Sequence, residues 1–195
     1  MFTGIIEALG TVTHISELGS NRTFSISSEF APYLKIDESL SHNGVCLTIE
    51  EIRDSTHLVT AIRETLDKTN LGNWKINDVI NLERSMTLNG RLDGHIVQGH
   101  ADGTAICREK KDLAGSYEFT FEFDEKFAGL VIEKGSISLN GISLTIFNVG
   151  VNTFSVAIIP YTFEYTNMKY VQPGMLLNLE FDIIGKYVNR IYSLK

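Results

Sequence analysis

The chain has 195 residues, of which 43% are hydrophobic and 21% charged, and its formal net charge is −7. This length provides enough chain for one or two modest domains with their own hydrophobic cores. The excess of acidic groups gives little attraction to phosphate backbones or anionic lipids, which argues against nucleic acid or a membrane surface as a partner.

The cysteine content and the hydropathy pattern favour a cytoplasmic protein. Two cysteines, Cys46 and Cys107, are too few for a disulfide framework and are typical of a reducing compartment. The first residues carry no basic stretch followed by a long apolar one, and no run of about 18 apolar residues occurs. We therefore expect neither a secretion signal nor a membrane span.

Short segments rich in β-forming residues follow one another along the chain. In order, the predicted strands cover residues 45–52, 57–62, 79–83, 117–123, 143–149, 154–159 and 176–181. Turn-forming residues at 53–56 and 150–153 separate two pairs of these strands and are typical of hairpins. Many short strands at this spacing indicate a closed β-barrel, which leaves no exposed sheet edge.

Two short helices are expected among the strands. Thr65 and Thr162 are the predicted N-caps, since the acidic residues Asp67 and Glu164 follow each threonine within the first turn. Gly72 is the expected end of the first helix.

The C-terminal tail has a different pattern from the strands before it. Five apolar residues recur at the i, i+3, i+4, i+7, i+8 spacing of one helix face. They are Ile184, Tyr187, Val188, Ile191 and Tyr192. Such a stripe requires a partner surface, and either self-association or docking on the chain's own barrel would provide one.

The sequence contains an internal repeat at an offset of 97 residues. When residues 39–83 are laid on residues 136–180 without a gap, 16 of the 45 aligned positions are identical. Upstream, residues 4–7 match residues 99–102 at an offset of 95, so a two-residue insertion separates the two matching segments. A fixed-offset match of this extent indicates duplication of one structural unit.

The repeat divides the chain into three parts. We expect an N-terminal barrel over residues 1–90, a homologous C-terminal barrel over residues 94–183, and a helix over residues 184–195. The joint falls near residues 87–94, where Asn-Gly and Asp-Gly turn dipeptides occur. The predicted fold class is therefore mainly β, with two tandem homologous closed barrels and a short C-terminal α-helix.

Six segments together carry a resemblance to a known family. They are MFTGIIE at 1–7, NGVCLT at 43–48, GHIVQGH at 94–100, KGS at 134–136, NGISLT at 140–145 and DIIGKY at 182–187. In this order and over essentially the whole chain they resemble the riboflavin synthase family. The resemblance implies two barrels of about six strands each, of Greek-key type, and a homotrimer held by the C-terminal helices.

The resemblance also implies a reaction between two identical molecules. Two molecules of 6,7-dimethyl-8-ribityllumazine dismutate to riboflavin and 5-amino-6-ribitylaminouracil by transfer of a four-carbon unit, with no metal and no cofactor. In this family one active site lies between the N-barrel of one subunit and the C-barrel of its neighbour. An association with lumazine synthase is a further expectation.

Backbone groups are the main expected contacts to the flat substrate rings, which can add to a strand edge. In the first copy the candidate binding residues are Phe2, Thr3, Gly4, Ile5, Ile6, Cys46, Leu47, Thr48, Thr60, Ala61, Ile62, Arg63, Glu64 and Thr65. In the second copy they are His100, Ala101, Asp102, Ser143, Leu144, Thr145, Ile159, Pro160, Tyr161, Thr162, Phe163 and Glu164. Lys134 is the candidate for reaching a ligand on a neighbouring subunit.

The catalytic candidates follow from the chemistry that the resemblance implies. A nucleophile adds at C7 of the acceptor lumazine, for which Cys46, Ser39 and water compete, and a base removes a proton from the C7 methyl group of the donor. The candidates for proton transfer are His100, Ser143, Thr145 and Asp182.

Each of these candidates also has a purely structural interpretation. Cys46 lies in an apolar strand and can be a small buried side chain, His100 can be a surface histidine, and Asp182 can cap the terminal helix. Thr65 and Thr162 can be caps alone, and Ser39 can sit in a turn.

The sequence allows three alternatives to the enzyme. Lumazine or flavin antenna proteins share the duplicated barrel but bind a chromophore without converting it. A flavin-reductase-type barrel would need a nicotinamide-binding domain for which no chain remains. A metal site at His42 and Cys46, or at His95 and His100, is disfavoured because Leu139 and Ser143 stand opposite the first pair in the second copy and structural zinc needs three or four ligands. Tyr161 departs from the polar residue that the family pattern and Glu64 lead us to expect.

Overall fold

Twelve strands form two closed antiparallel barrels of six strands each in the computed structural model, which describes residues 1–194. The first barrel contains β1 Ala8–Leu18, β2 Asn21–Ser27, β3 Ser39–His42, β4 Val45–Arg53, β5 Thr56–Ala61 and β6 Val79–Arg84. The second contains β7 Gly103–Asp112, β8 Tyr117–Glu122, β9 Ser136–Leu139, β10 Ile142–Phe147, β11 Thr153–Ile158 and β12 Leu176–Phe181. The helices are α1 Arg63–Lys68, α2 Pro160–Tyr165 and α3 Ile183–Tyr192.

Both barrels have the same strand order. The first closes in the order β1-β2-β5-β4-β3-β6, and the second closes in the matching order, with each strand six places later in the chain. β2 pairs with β5 and β1 pairs with β6, a non-sequential pairing that fits the expected Greek-key type. The tandem, mainly β fold predicted from the repeat is confirmed.

Each barrel encloses its own hydrophobic core. Alternate residues of the strands point inward, as along β5, where every second residue is buried. Phe24 and Trp74 meet edge to face in the first core, with their ring centroids 5.1 Å apart. The second core is richer in aromatic rings, and Phe154 packs there between Phe121 and Phe123.

The two short helices begin earlier than the sequence led us to expect. α1 starts at Arg63 after Ile62, and α2 starts at Pro160 after Ile159, and neither N-cap side chain forms a capping hydrogen bond. The prediction of Thr65 and Thr162 as N-caps is therefore wrong. Proline fits the first helical position, because an amide N–H there would have no partner within the helix.

The repeated threonines serve the end of each helix instead of its start. The carbonyl oxygens of Thr65 and Thr162 accept hydrogen bonds of 2.6 Å from the hydroxyls of Thr69 and Thr166. These later threonines cap the 3-10 turns Asn70–Asn73 and Asn167–Tyr170. Gly72 lies inside the first of these turns, so it does not end α1 as we expected.

The two barrels meet at the repeated Asn-Gly dipeptides. Gly44 and Gly141 both have positive φ angles, of 75° and 83°, which glycine adopts without strain. A Cβ atom on Gly44 would lie 2.6 Å from the amide nitrogen of Gly141. No other residue type allows this approach, so both glycines are required at the contact.

Buried asparagines link the barrels in pairs related by the repeat. Asn81 Nδ2 donates to the carbonyl oxygen of Asn140 at 3.0 Å, and Asn178 Nδ2 donates to that of Asn43 at 2.9 Å. The backbone N–H of Asn167 donates to Asn81 Oδ1 at 2.7 Å. These asparagines are identical in both copies and build a pseudo-symmetric interface between the barrels.

Helix α3 follows the second barrel and exposes its apolar face. Asp182 Oδ1 accepts a hydrogen bond of 3.0 Å from the amide of Ile184, so the predicted capping role of Asp182 is confirmed. The helix begins one residue earlier than expected, and Lys195, included in the predicted helix, lies outside the described residues. Every residue of the apolar stripe is more than half exposed, so docking of the stripe on the chain's own barrel is wrong. Within residues 1–194, no helix has the length and apolarity needed to cross a membrane.

Candidate functional site

Two extended segments each cross from their own copy to the opposite barrel. The carbonyl oxygen of Gly4 accepts a hydrogen bond of 2.8 Å from the amide of Ser143, and that of Gly99 accepts one of 2.9 Å from the amide of Cys46. Beyond these points, Ile6 packs against the core of the second barrel and Ala101 against that of the first.

This exchange corrects the grouping of site residues by sequence copy. Residues 4–6 stand beside Ser143 of the second barrel, and residues 100–102 stand beside Cys46 of the first. The sequence repeat predicts instead that residues 4–6 lie with Cys46 and residues 100–102 with Ser143. The repeat alignment identifies equivalent residues correctly, but it does not reveal which barrel each segment covers.

A buried glutamate from the segment's own copy holds each crossing segment. Glu83 accepts from the amides of Thr3 and Gly4 at 2.6 and 3.1 Å, and Glu180 accepts from the amides of residues 98, 99 and 100 at 2.6 to 2.9 Å. Burial raises the pKa of both carboxyl groups, and the amide hydrogen bonds partly offset that rise.

Glycine is required where each segment touches the opposite strand. Gly4 and Gly99 both have a φ angle of 78°. A Cβ atom on Gly4 would lie 2.6 Å from Ser143 Cβ, and one on Gly99 would lie 2.6 Å from Cys46 Cβ. A larger residue would therefore lift the segment off the strand.

A cavity of 860 Å³ lies between the first barrel and the segment that crosses onto it. It is within the size range of small-molecule sites. Six predicted site residues line it, namely Cys46, Glu64, Thr65, His100, Ala101 and Asp102. Asp124, Lys126, Phe127 and Lys186, which the sequence did not suggest, form a further part of the wall.

Ion pairs surround this cavity. Lys186 Nζ lies 2.6 Å from Asp102 Oδ2, and Lys68 Nζ lies 2.6 Å from Glu64 Oε1. The first pair is about four-fifths buried, with both side chains 21% exposed, whereas the second is more than half exposed. The Lys186 pair is therefore much less screened by water than the Lys68 pair.

The strand residues expected to bind point outward from the barrels. Cys46 and Thr48 alternate along β4 with the core residues Leu47 and Ile49, and Thr48 is exposed. Ser39 is the cross-strand partner of Thr48. The candidate site thus lies on the outer wall of the barrel, and the Leu47 side chain belongs to the core.

In the second barrel, the equivalent strand β10 contacts a histidine from the segment that precedes β7. His95 Nδ1 and Ser143 Oγ are 2.6 Å apart in a hydrogen bond. His95 is buried, and this burial lowers its pKa, while the charge of Asp182 acts in the opposite direction. A neutral imidazole beside a hydroxyl can accept its proton.

Sequence reasoning missed the role of His95. It belongs to the quoted GHIVQGH segment, but it was considered only as a metal ligand beside His100. The signal in the sequence was that the copies differ at one repeat position, which is Ser143 in the second copy and Cys46 in the first. In the structure, within residues 1–194, no imidazole is hydrogen-bonded to the Cys46 side chain.

The remaining predicted residues lie on the rim of the second barrel or away from it. Thr145 and Lys134 are exposed, and the Lys134 ammonium group lies 5.3 Å from the centre of the Phe147 ring. Tyr161 packs against Tyr165 with their ring centroids 4.6 Å apart and their planes tilted by 36°, where the first copy has the Glu64–Lys68 ion pair. The second rim is therefore aromatic where the first is charged.

The histidine considered as a metal ligand has a different partner. His42 Nε2 lies 2.9 Å from His57 Nε2, and both side chains are completely buried. Burial lowers the pKa of His42, as does the nearby His57, and burial lowers the pKa of His57 to about 4. Two neutral, mutually hydrogen-bonded imidazoles in a core are a structural pair.

Among known protein families, one and the same family model matches both halves of the chain. The family model described as lumazine binding domain matches residues 3–85 and 98–182. Riboflavin synthase of Actinobacillus pleuropneumoniae is 38% identical, with 100% of this chain and 91% of that protein aligned. Riboflavin synthase of Schizosaccharomyces pombe is 39% identical, with 98% and 93% aligned.

Solved structures show the same fold. LumP complexed with 6,7-dimethyl-8-(1'-D-ribityl) lumazine is similar with a TM-score of 0.85 at 16% identity, covering 93% of this chain and 99% of that one. LumP complexed with riboflavin gives 0.87 at 17% identity, with the same coverage. By its two domain matches and its full-length relatives, the chain belongs to the riboflavin synthase family of transferases.

Proposed function

We propose that this protein is a riboflavin synthase that converts two molecules of 6,7-dimethyl-8-ribityllumazine into riboflavin and 5-amino-6-ribitylaminouracil. The observation that carries the proposal is the pair of equivalent strand surfaces, at Cys46 and at Ser143, each covered by a segment from the other copy. A reaction between two identical molecules needs two similar binding surfaces. The two products together contain every atom of the two substrates, so the reaction needs no oxidant or reductant.

The rate acceleration in this proposal comes mainly from the orientation of the two substrates. Backbone groups along β4 and β10 and in the crossing segments present donors and acceptors to a flat ring edge. Bringing two rings together on preformed surfaces converts a bimolecular step into a nearly unimolecular one. The buried glutamates Glu83 and Glu180 keep both segments in place before substrate arrives.

The side chains that differ between the copies are the proposed source of acid–base chemistry. Ser143 Oγ and His95 Nδ1 share a hydrogen bond, and with Nδ1 unprotonated as the acceptor this pair can remove a proton from the C7 methyl group of a donor lumazine. Cys46 and His100 line the other cavity, where Cys46, Ser39 or a water molecule adds to C7 of the acceptor. Asp182 and Thr145 remain candidates for further proton transfer.

We further propose that the working form is a homotrimer. The exposed apolar face of α3 supports self-association, since such a face is covered in a stable assembly. In this arrangement the N-barrel of one subunit and the C-barrel of its neighbour bracket the two substrates, and Lys134 reaches the neighbour's ligand. The cytoplasmic location and an association with lumazine synthase rest on the cysteine content and on the family resemblance.

Turnover of the purified protein tests the proposed reaction. Incubation with 6,7-dimethyl-8-ribityllumazine and no additive should yield riboflavin, which its fluorescence and its chromatographic mobility identify. Tight binding without product would instead select the antenna alternative. Absence of both binding and product would reject the proposal.

A further inference from the structure

Lys186 connects helix α3 to the segment that covers the first-barrel cavity. Its ammonium group lies 2.6 Å from Asp102 Oδ2, and both side chains are 21% exposed. The backbone fixes Asp102 as well, because its amide donates to Leu179 O at 2.8 Å and its Oδ2 accepts from the amide of Phe181 at 2.9 Å. Asp102 therefore stays at the end of β12, where Lys186 of the helix forms its ion pair and Lys68 adds a more distant positive charge.

The other crossing segment is held by a cation from a different element. Arg84 Nη2 and Nε lie 2.6 and 3.0 Å from Glu7 Oε2, and the Arg84 amide donates to Glu7 Oε1 at 2.8 Å. Glu7 is the repeat counterpart of Asp102. Arg84 ends strand β6, whereas Lys186 lies on α3. The two equivalent carboxylates are thus fixed by a strand in one copy and by the terminal helix in the other.

We infer that Lys186 is a positioning residue that holds residues 98–102 over the first-barrel pocket, so that the cover of this pocket depends on α3. The side chain of Lys186 lines the cavity together with His100 and Cys46. Burial raises the pKa of Glu180, the charge of Lys186 partly offsets that rise, and Glu180 accepts hydrogen bonds from the amides of the same segment. One cation therefore supports both anchors of the segment.

The Lys186–Asp102 ion pair connects the first pocket to the packing of helix α3. Lys186 and the apolar stripe belong to the same ten-residue helix. A shift of α3 would therefore also move Lys186 and change its contact with Asp102. Occupancy of the first pocket should respond to the packing of α3 through this ion pair, whereas Arg84 of β6 holds the segment over the second. The identity of the ligand in this inference rests on the proposed function.

Cys46 gives a reporter for the first pocket alone. Its side chain is half-buried and lines the cavity, while the second cysteine, Cys107, is completely buried. The rate of reaction with a thiol reagent such as 5,5'-dithiobis(2-nitrobenzoate) should therefore fall when riboflavin or 6,7-dimethyl-8-ribityllumazine fills the first pocket. The total number of bound ligands comes from fluorescence titration of the same samples.

The variant Lys186→Met removes the charge and keeps the chain length. We expect about tenfold more ligand for half-protection of Cys46, as for a partly buried ion pair, and restoration by Lys186→Arg. Arg190→Met removes a charge from the same helix outside the contact and should leave protection unchanged. Arg84→Met should leave Cys46 protection unchanged while weakening the second site in the titration.

The outcomes separate this inference from the proposed function. If the wild-type protein binds no ligand, the proposed function fails. If wild type binds and Lys186→Met protects Cys46 at the same ligand concentration, the inference fails. Equal weakening of Cys46 protection by Lys186→Met and Arg190→Met would also reject the inference. So would a loss of the folded signal in circular dichroism that Lys186→Arg does not reverse. In both cases the integrity of the helix, and not the ion pair, would be responsible.

Discussion

His95 and Ser143 form a hydrogen-bonded pair, with His95 Nδ1 2.6 Å from Ser143 Oγ, that distinguishes the second barrel from the first. The counterpart of Ser143 is Cys46, which lies on the equivalent strand beneath the equivalent crossing segment. Two surfaces with the same backbone thus carry different acid–base groups. A dismutation needs this combination, because one substrate gives up carbon atoms and the other receives them.

Replacement of His95 by Gln should lower kcat at least tenfold with a smaller change in KM, because the base is lost while the backbone contacts remain. Ser143→Ala should give a similar loss, and the double variant little more than either single one. In the wild type, burial lowers the pKa of His95 below 6.5, so the imidazole stays neutral and kcat should decline only at more acidic pH. A kcat profile between about pH 4.5 and 8 measures this limb, and an unchanged limb in His95→Gln would contradict the assignment.

Replacement of Gly99 by Ala should disrupt the first pocket. The new Cβ would lie 2.6 Å from Cys46 Cβ at a φ angle of 78°, so strain and overlap add, with an expected cost of about 2 to 4 kcal/mol. Thermal unfolding and turnover measure the two effects. Gly115→Ala is the matched control, because nothing lies within 4 Å of its Cβ position, and an equal loss in both variants would refute the explanation.

The buried His42–His57 pair should make the first barrel sensitive to acid. His42 Nδ1 lies 3.0 Å from the carbonyl oxygen of Leu40 and must donate to it. His42 Nε2 therefore accepts from His57 Nε2–H, which leaves His57 Nδ1 unprotonated and without a hydrogen-bond partner among residues 1–194. Protonation there would place a charge in the core.

The direction of this effect follows from the pKa of about 4 for His57 in the folded protein. Below pH 6.5 the unfolded chain takes up a proton that the folded protein does not bind, so the free energy of unfolding falls with pH down to about 4, by about 3 kcal/mol for His57. Denaturant unfolding at several pH values measures the slope. The double variant His42→Leu/His57→Phe, which copies Leu139 and Phe154 of the second barrel, should show a shallower slope, and an unchanged slope would contradict the prediction.

Charge on the exposed face of α3 should dissociate the proposed homotrimer. Val188→Glu and Ile191→Glu place carboxylates on the apolar stripe without touching Lys186, so the barrels should remain folded as monomers. Sedimentation velocity measures the oligomeric state, and circular dichroism checks folding. Asn189→Glu, on the same helix outside the stripe, is the control, and a trimer that persists in the stripe variants would exclude this face as the interface.

The local pattern of the chain was sufficient to predict seven of the twelve strands and the barrel class, but not β1, β2, β3, β7 or β9. Strand positions follow from runs of β-forming residues and the turns between them, and all seven predicted strands occur within one or two residues of their expected bounds. The capping role of Asp182 was also predictable, because its contact is with residues immediately after it. The caps assigned to Thr65 and Thr162 were wrong because an acidic residue in a first turn does not by itself define where the turn begins.

The repeat by itself determined that this protein has two equivalent barrels, since a fixed-offset match requires duplication of one structural unit. Only the tertiary structure decided what the repeated residues do. The asparagines proved to join the barrels, Gly4 covers Ser143 and Gly99 covers Cys46, and His95 meets a serine 48 residues away. The physical reason is range: alternation and turn chemistry act between neighbours in the chain, whereas these contacts depend on how the two closed barrels pack against each other.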